Sequence, residues 1–422
     1  MNQPCTIVTL LHPMAILFRH WRAILPTLAC GWLAIAGAPQ FRLAVGEERD
    51  QQASDGCAPV QAFLEEVRTR HGLPAVWAGK FWLDPPRRVV ACSGVRKFGE
   101  ATAVSLEDCL HLGSCTKAMT ATLIGCLVSA GKLRWDSSLA ELLPDRPGLS
   151  SSPWGEVTVE QLMRHRSGLP ANAPWWELHQ RHPHDPVAAR AAILDWMETL
   201  PRPTERKFEY SNAGYALLGH LAERLEGESW EELMQQRIFV PLAIDRAGFG
   251  PVLGDHPLEQ PWGHTLAPIA ASAGEQDGSE SEPRKMPQWR PTHLDNPPPL
   301  GPAGRVHMPL HQWARFVSLF ADADLPPTAL PIRDEDWLQL VTPGANGEYG
   351  GGWGITERSW GGGKVLTHSG SNTTWYCVAW VAPQKKFVVL VATNCFAEET
   401  PQACDEIAAA LVNGRFDSAC EP

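Results

Sequence analysis

The apolar positions change period along the chain, and each change predicts an element. Phe63, Leu64 and Val67 share one face of a helix over 61–70. Strand-like runs follow at 75–83 and 88–93, separated by the Pro85-Pro86 turn. Residues 114–130 predict a helix with a broad apolar face, closed by Gly131. Thr158 and Gln161 have the spacing of a capping box that opens a helix over 159–166. Stretches rich in Glu, Ala and Leu at 187–200, 213–226 and 229–239 predict further helices. Residues 250–304 are rich in Pro and Gly, strongly polar over 274–284, and predict a long irregular loop or pocket rim. A helix resumes at 309–321, strands follow at 351–357, 364–368, 375–381 and 387–393, and a helix at 401–413 closes the pattern. Strands at both ends with helices between them predict an α+β fold, one antiparallel sheet carrying a helical insertion.

The first residues read as a targeting segment. Arg19, His20 and Arg22 precede an apolar run over 23–38, and Ala34-Ile35-Ala36 fits a cleavage site. Residues 1–36 are expected to be a signal peptide or N-terminal anchor; the run is short for a span of about 20 residues, which favours cleavage. Residues 37–57 form a linker, 58–413 the folded domain and 414–422 a tail. The expected location is periplasmic or extracellular, with membrane anchoring as the alternative and any transient membrane association through the N-terminal segment. Removing 1–36 leaves nine of the eleven cysteines, an odd number. An oxidising compartment would allow Cys57 to pair with Cys92, or Cys404 with Cys420.

Charge narrows the partners. Lys plus Arg number 36 and Asp plus Glu 47, a formal net charge of -11 without a long basic run, so nucleic acid is not expected as a partner. The eighteen tryptophans are spread along the chain and serve packing rather than base stacking.

The chemistry begins at Ser114-Cys115-Thr116-Lys117. Residues i and i+3 share a helix face, so the Lys117 amine reaches the Ser114 hydroxyl. Serine needs a base to become a nucleophile, and a desolvated lysine can be one. Ser114 also stands at the helix start, where free N–H groups favour an oxyanion. Ser129-Ala130-Gly131-Lys132 repeats the spacing at the wrong end of the same helix, among outward-facing carbonyls. Tyr210-Ser211-Asn212 is the only Tyr-x-Asn in the chain; Tyr210 offers a proton relay and Asn212 both a donor and an acceptor. His368-Ser369-Gly370, followed by Ser371, ends a predicted strand whose N–H groups can face a carbonyl oxygen. His179, His182, His184 and Asp185 lie in a Pro-containing stretch without a metal-binding framework and are assigned to a solvated loop; no metal or cofactor is expected.

In this order and with this spacing, the three elements resemble the serine β-lactamase and penicillin-binding-protein superfamily, most closely its class C β-lactamase-like branch. Gly131 to Asp136, the Leu162–Pro170 run Leu-Met-Arg-His-Arg-Ser-Gly-Leu-Pro, and Gly301-Pro302-Ala303-Gly304 are similar to accessory segments of that branch. The resemblance spans residues 58–413. It implies an antiparallel sheet flanked by helices, with an all-helical lobe within about 132–305 and the site between them. It implies that Ser114 is acylated, that Lys117 and Tyr210 move protons, and that Asn212 positions substrate with His368, Ser369 and Gly370. The N–H groups of Ser114 and Ser371 would form the oxyanion hole.

One position departs from the pattern: His368 stands where β-lactamases of this branch carry Lys. A mostly neutral histidine holds a substrate carboxylate less well than a fixed cation. The expected function is therefore hydrolysis of an amide or ester in a small molecule or peptide by a peptidase- or esterase-like member. A true β-lactamase or D-alanyl-D-alanine carboxypeptidase/transpeptidase is the alternative. A non-catalytic module binding cell-wall peptide or an acyl ligand is the alternative from another class. The sequence leaves open whether Lys117 or Tyr210 is the base, and what the oligomeric state is.

Overall fold

A computed structural model describes residues 57–201, 205–256, 258–267, 287–322, 327–344, 347 and 349–418. The expected signal segment, most of the linker, the 274–284 stretch and Cys420 lie outside them. Helix α1 (Ala58–His71) leads to strands β1 (Ala75–Leu83) and β2 (Pro86–Gly94). A short β3 (Cys109–His111) and one 3₁₀ turn (Gly113–Cys115) feed α2 (Thr116–Ser129). Seven helices follow: α3 (Leu139–Leu142), α4 (Pro147–Ser150), α5 (Val159–Met163), α6 (Trp175–Arg181), α7 (Pro186–Glu198), α8 (Asn212–Glu226) and α9 (Trp230–Met234). Then come β4 (Gly248–Phe249), β5 (Gly263–Leu266), β6 (Trp289–Thr292), α10 (Gly301–Gly304), β7 (Val306–Pro309), α11 (Leu310–Val317) and α12 (Asp334–Val341). The chain ends on β8 (Gly354–Arg358), β9 (Gly363–Ser371), β10 (Tyr376–Ala382), β11 (Phe387–Thr393) and α13 (Thr400–Val412).

The main sheet is antiparallel and ordered β2-β1-β11-β10-β9-β8. Every residue of β11 is buried, as a central strand covered on both faces requires. One face packs α1 and α13 through Val60, Leu64, Val67, Ile407 and Leu411. The other packs α2 and α11, which join the sheet to the helices of the middle segment. Helix α2 is buried from Thr116 to Val128, so its sequence is apolar all round rather than striped. Burial of Leu123, Ile124 or Leu127 contributes about 2 kcal/mol each. In the helical segment Arg190 of α7 is fully buried and bonds Glu223 of α8 and Glu231 of α9, tying three helices at one point.

The structure departs from the expected elements in informative places. Helix α5 has the expected capping box, with both of its hydrogen bonds present, but stops at Met163 because His165 takes a left-handed φ of 57°. The irregular 250–304 stretch contains a two-stranded ladder, Gly263 to Leu266 against Trp289 to Thr292. Helices α6 and α12 had no sequence prediction. Cys57 is disulfide-bonded, but not to Cys92, which is a free thiol, and Cys404 is also free. Among the described residues no helix is long and apolar enough to cross a membrane.

Candidate active site

Strand β3 leads the chain to Ser114. Gly113, at φ +46°, turns the chain into α2, and its N–H donates to His111 Nδ1 at 3.1 Å. Ser114 then occupies the first turn, in which Gly113 N–H is taken by His111 and Cys115 N–H by the Leu112 carbonyl. One turn further on, Lys117 is fully buried. Its Nζ lies 3.1 Å from Ser114 Oγ, 2.7 Å from Asn212 Oδ1 and 2.7 Å from the Ala303 carbonyl. Burial pushes the Lys117 ammonium well below the ordinary lysine range. A neutral amine has two N–H donors and one lone pair. The Asn212 and Ala303 oxygens can only accept and take the donors, so the lone pair is left to the Ser114 hydroxyl.

Tyr210 and Asn212 are held by the loop after α5. Ser211 N-caps α8 by accepting from Gly214 N–H at 3.1 Å, and its own hydroxyl donates to the Pro170 carbonyl at 2.8 Å. Ser211 N–H donates to His165 Nδ1, and Asn212 N–H to the Ala171 carbonyl. This fixes the Tyr210 ring 4.4 Å from the His165 ring and 4.8 Å from Lys117 Nζ. Burial pushes the Tyr210 phenol up, which keeps its proton on. Asn212 Nδ2 donates to Asn172 Oδ1 at 2.8 Å, so the amide cannot rotate its oxygen away from Lys117.

The end of β9 forms the opposite wall. A Cβ on Gly370 would stand 2.9 Å from Ser114 N, and one on Gly113 only 2.3 Å from Ser371 N. Two glycines thus let β9 lie directly on the α2 entrance and bring the Ser114 and Ser371 N–H groups side by side. Asp295 braces both halves. One carboxylate oxygen lies 2.9 Å from His111 Nε2 and accepts from Asn372 Nδ2 at 2.9 Å, while the other accepts from Arg305 at 3.1 Å. Burial opposes ionisation of Asp295, but His111, Arg305 and Asn372 outweigh it and hold the carboxyl below the usual range. His368 Nδ1 donates to the Ser369 carbonyl at 2.6 Å, and Tyr349 Oη lies 3.0 Å from Nε2.

All three sequence elements therefore meet at one cavity of about 700 Å³, lined by Ser114, Tyr210, His368, Ser369, Gly370 and Ser371 among others. The second Ser-x-x-Lys does not form a pair: Ser129 bonds Asp336, and Lys132 reaches Glu226. Asp185 caps α7 through Ala188 N–H. Sequence reasoning missed Tyr349, Asp295, His111 and Asn172. Only the Gly301–Gly304 segment carried a local signal, and it supplies the Ala303 carbonyl.

A serine-lysine-tyrosine constellation between an antiparallel sheet and a helical segment defines a class of fold and site. A family model described as Beta-lactamase matches residues 70–413, and the chain belongs to that family. It is 26% identical to penicillin-binding protein 4 of Amycolatopsis lactamdurans over 345 residues, covering 79% of this chain and 84% of that protein. It is 29% identical to lovastatin esterase of Penicillium rubens over 180 residues, covering 36% and 43%. The fold superposes on a class C β-lactamase from Rhodobacter sphaeroides with a TM-score of 0.62 at 18% identity, over 84% of this chain and 99% of that one.

Proposed function

We propose that the chain is a serine hydrolase that forms an acyl-enzyme at Ser114 and releases the acyl group of an ester or amide to water. The observation that carries this reading is the Lys117 amine, buried, bonded through both of its N–H groups, and 3.1 Å from Ser114 Oγ. Lys117 takes the serine proton as the Oγ–carbonyl carbon bond forms. The carbonyl oxygen becomes an oxyanion facing the N–H groups of Ser114 and Ser371. The tetrahedral species collapses, the bond to the leaving oxygen or nitrogen breaks, and the Lys117 proton reaches that atom by way of the Tyr210 hydroxyl. Water then enters by the reverse relay, giving its proton to the same pair and its oxygen to the acyl carbon, and Ser114 regains its hydrogen.

The substrate is a small molecule or peptide, and we place the protein outside the cytoplasm, exported through residues 1–36. Sequencing the N-terminus of the secreted protein checks the export. Incubation with a short-chain acyl ester, a D-amino-acid amide and a β-lactam, followed by intact mass measurement, checks the chemistry. An adduct or turnover that disappears in Ser114→Ala supports the proposal; turnover that persists in that variant refutes it. Binding without any adduct would favour a non-catalytic ligand module.

A further inference from the structure

The catalytic cavity does not end at Ser114. It passes over the end of β9, where β8 no longer covers the strand, and continues along β10 to α13. Its far part is walled by Tyr376, Val378, Trp380, Phe396, Pro401 and Asp405. The Tyr376 and Phe396 rings stack at 5.9 Å with 18° between their planes. Of all the described lining residues, Asp405 alone is an Asp, Glu, Lys or Arg. Asp405 is exposed at the mouth of the cavity; among the described residues its carboxylate has no hydrogen-bond or ion-pair partner, and partial desolvation raises its pKa. Lys117 is fully buried and does not line the cavity. Arg358 lies 5.8 Å from the Trp380 ring and is bonded to Thr356 Oγ1 and the Glu357 carbonyl of its own strand.

We infer that Asp405, with the aromatic faces of Tyr376, Trp380 and Phe396, forms a subsite that selects substrates carrying a positively charged amine at the end away from the scissile bond. The inference rests on the hydrolase reading for the word substrate. Its physics is simple. An unpaired carboxylate at the rim of an apolar cleft attracts a cation, and aromatic faces reinforce the attraction. A carboxylate-bearing ligand entering the same cleft meets a like charge at Asp405, while the cation of Arg358 lies beyond the Trp380 ring and outside the lining. The net charge of -11 acts in the same direction over longer range.

The test compares two ligands of one shape and opposite charge, 4-phenylbutylammonium and 4-phenylbutyrate, by calorimetric titration at low and high salt. The wild-type protein is expected to bind the cation about tenfold more tightly at low ionic strength, with the ratio shrinking as salt is added. Asp405→Asn should bring the ratio close to one and Asp405→Lys should invert it, with circular dichroism confirming the fold of each variant. Equal affinities in the wild type, or a ratio unchanged in Asp405→Asn, overturns the subsite. This measurement requires no turnover. A chain that never acylates Ser114 would refute the hydrolase reading, while the ratio still decides the subsite.

Discussion

The Tyr349 hydroxyl and His368 Nε2 are 3.0 Å apart in a buried contact, while His368 Nδ1 is bonded to the Ser369 carbonyl. Because a carbonyl oxygen only accepts, Nδ1 carries a proton, and Nε2 is engaged with the Tyr349 hydroxyl. The imidazole has both nitrogens engaged and none free for a substrate carboxylate. His368→Lys should therefore raise the acylation rate by a carboxylate-bearing β-lactam, by about tenfold, relative to a neutral ester. Rapid-mixing mass spectrometry of the two acyl-enzymes measures the ratio. An unchanged ratio would mean that residue 368 does not read the carboxylate.

In the proposed mechanism Lys117 sets the acid limb. Its burial pushes the ammonium well below the ordinary lysine range, so acylation should rise with pH through that lowered value and then level off. Lys117→Arg places a guanidinium that stays protonated and should lower the acylation rate by roughly a thousandfold. The pH profile of pre-steady-state acylation tests both statements.

Asp295 belongs to the scaffold of the proposed oxyanion site, since it holds His111 behind Gly113 and Asn372 behind Ser371. Asp295→Asn keeps the shape and removes the charge. The expected result is a kcat lower by about tenfold or more with KM within a factor of about two, because the N–H pair is misaligned only for the developing oxyanion. A loss confined to KM would move Asp295 to substrate binding.

Acid should destabilise the fold below neutrality. Burial pushes His165 down to about 2, with Lys117 adding to the effect, and pushes His264 and His307 down to about 4. In the unfolded chain these rings titrate near about 6.5. Between the two values the unfolded state binds protons that the folded state does not, so stability decreases as pH falls through that window. Each such proton contributes a slope of about 1.4 kcal/mol per pH unit. Urea unfolding midpoints from neutral pH down to the His264 value measure it, and a flat profile would contradict these buried neutral rings.

The legible parts of the site were those written in local geometry. Ser114 and Lys117 are one helical turn apart, and the β1 and β11 bounds coincide with their apolar runs. Tyr210 and His368 were legible only through their order along the chain. Tyr349 reaches His368 across a turn whose composition signals nothing, and Asp295 acts through residues of β3 and of the loop after β9. Such contacts are set by packing between distant segments, which no periodicity encodes. Helix α5 ended early for the same reason: His165 leaves helical geometry and packs, tilted, against the rings of Tyr210, Tyr215 and Tyr349.

Strand β11 lies between β1 and β10, with Val76 paired to Thr393 across almost the whole folded chain. The order of synthesis therefore differs from the order of assembly. Until the late strand arrives, the β1–β2 hairpin has an unpaired edge and α2 has no sheet to cover. Such long-range closure is slow, since the loop entropy is spent before the contacts that reward it exist. The β9 backbone that faces Ser114 also comes late in the chain, so the arrangement around Ser114 is complete only once the C-terminal strands have joined the sheet.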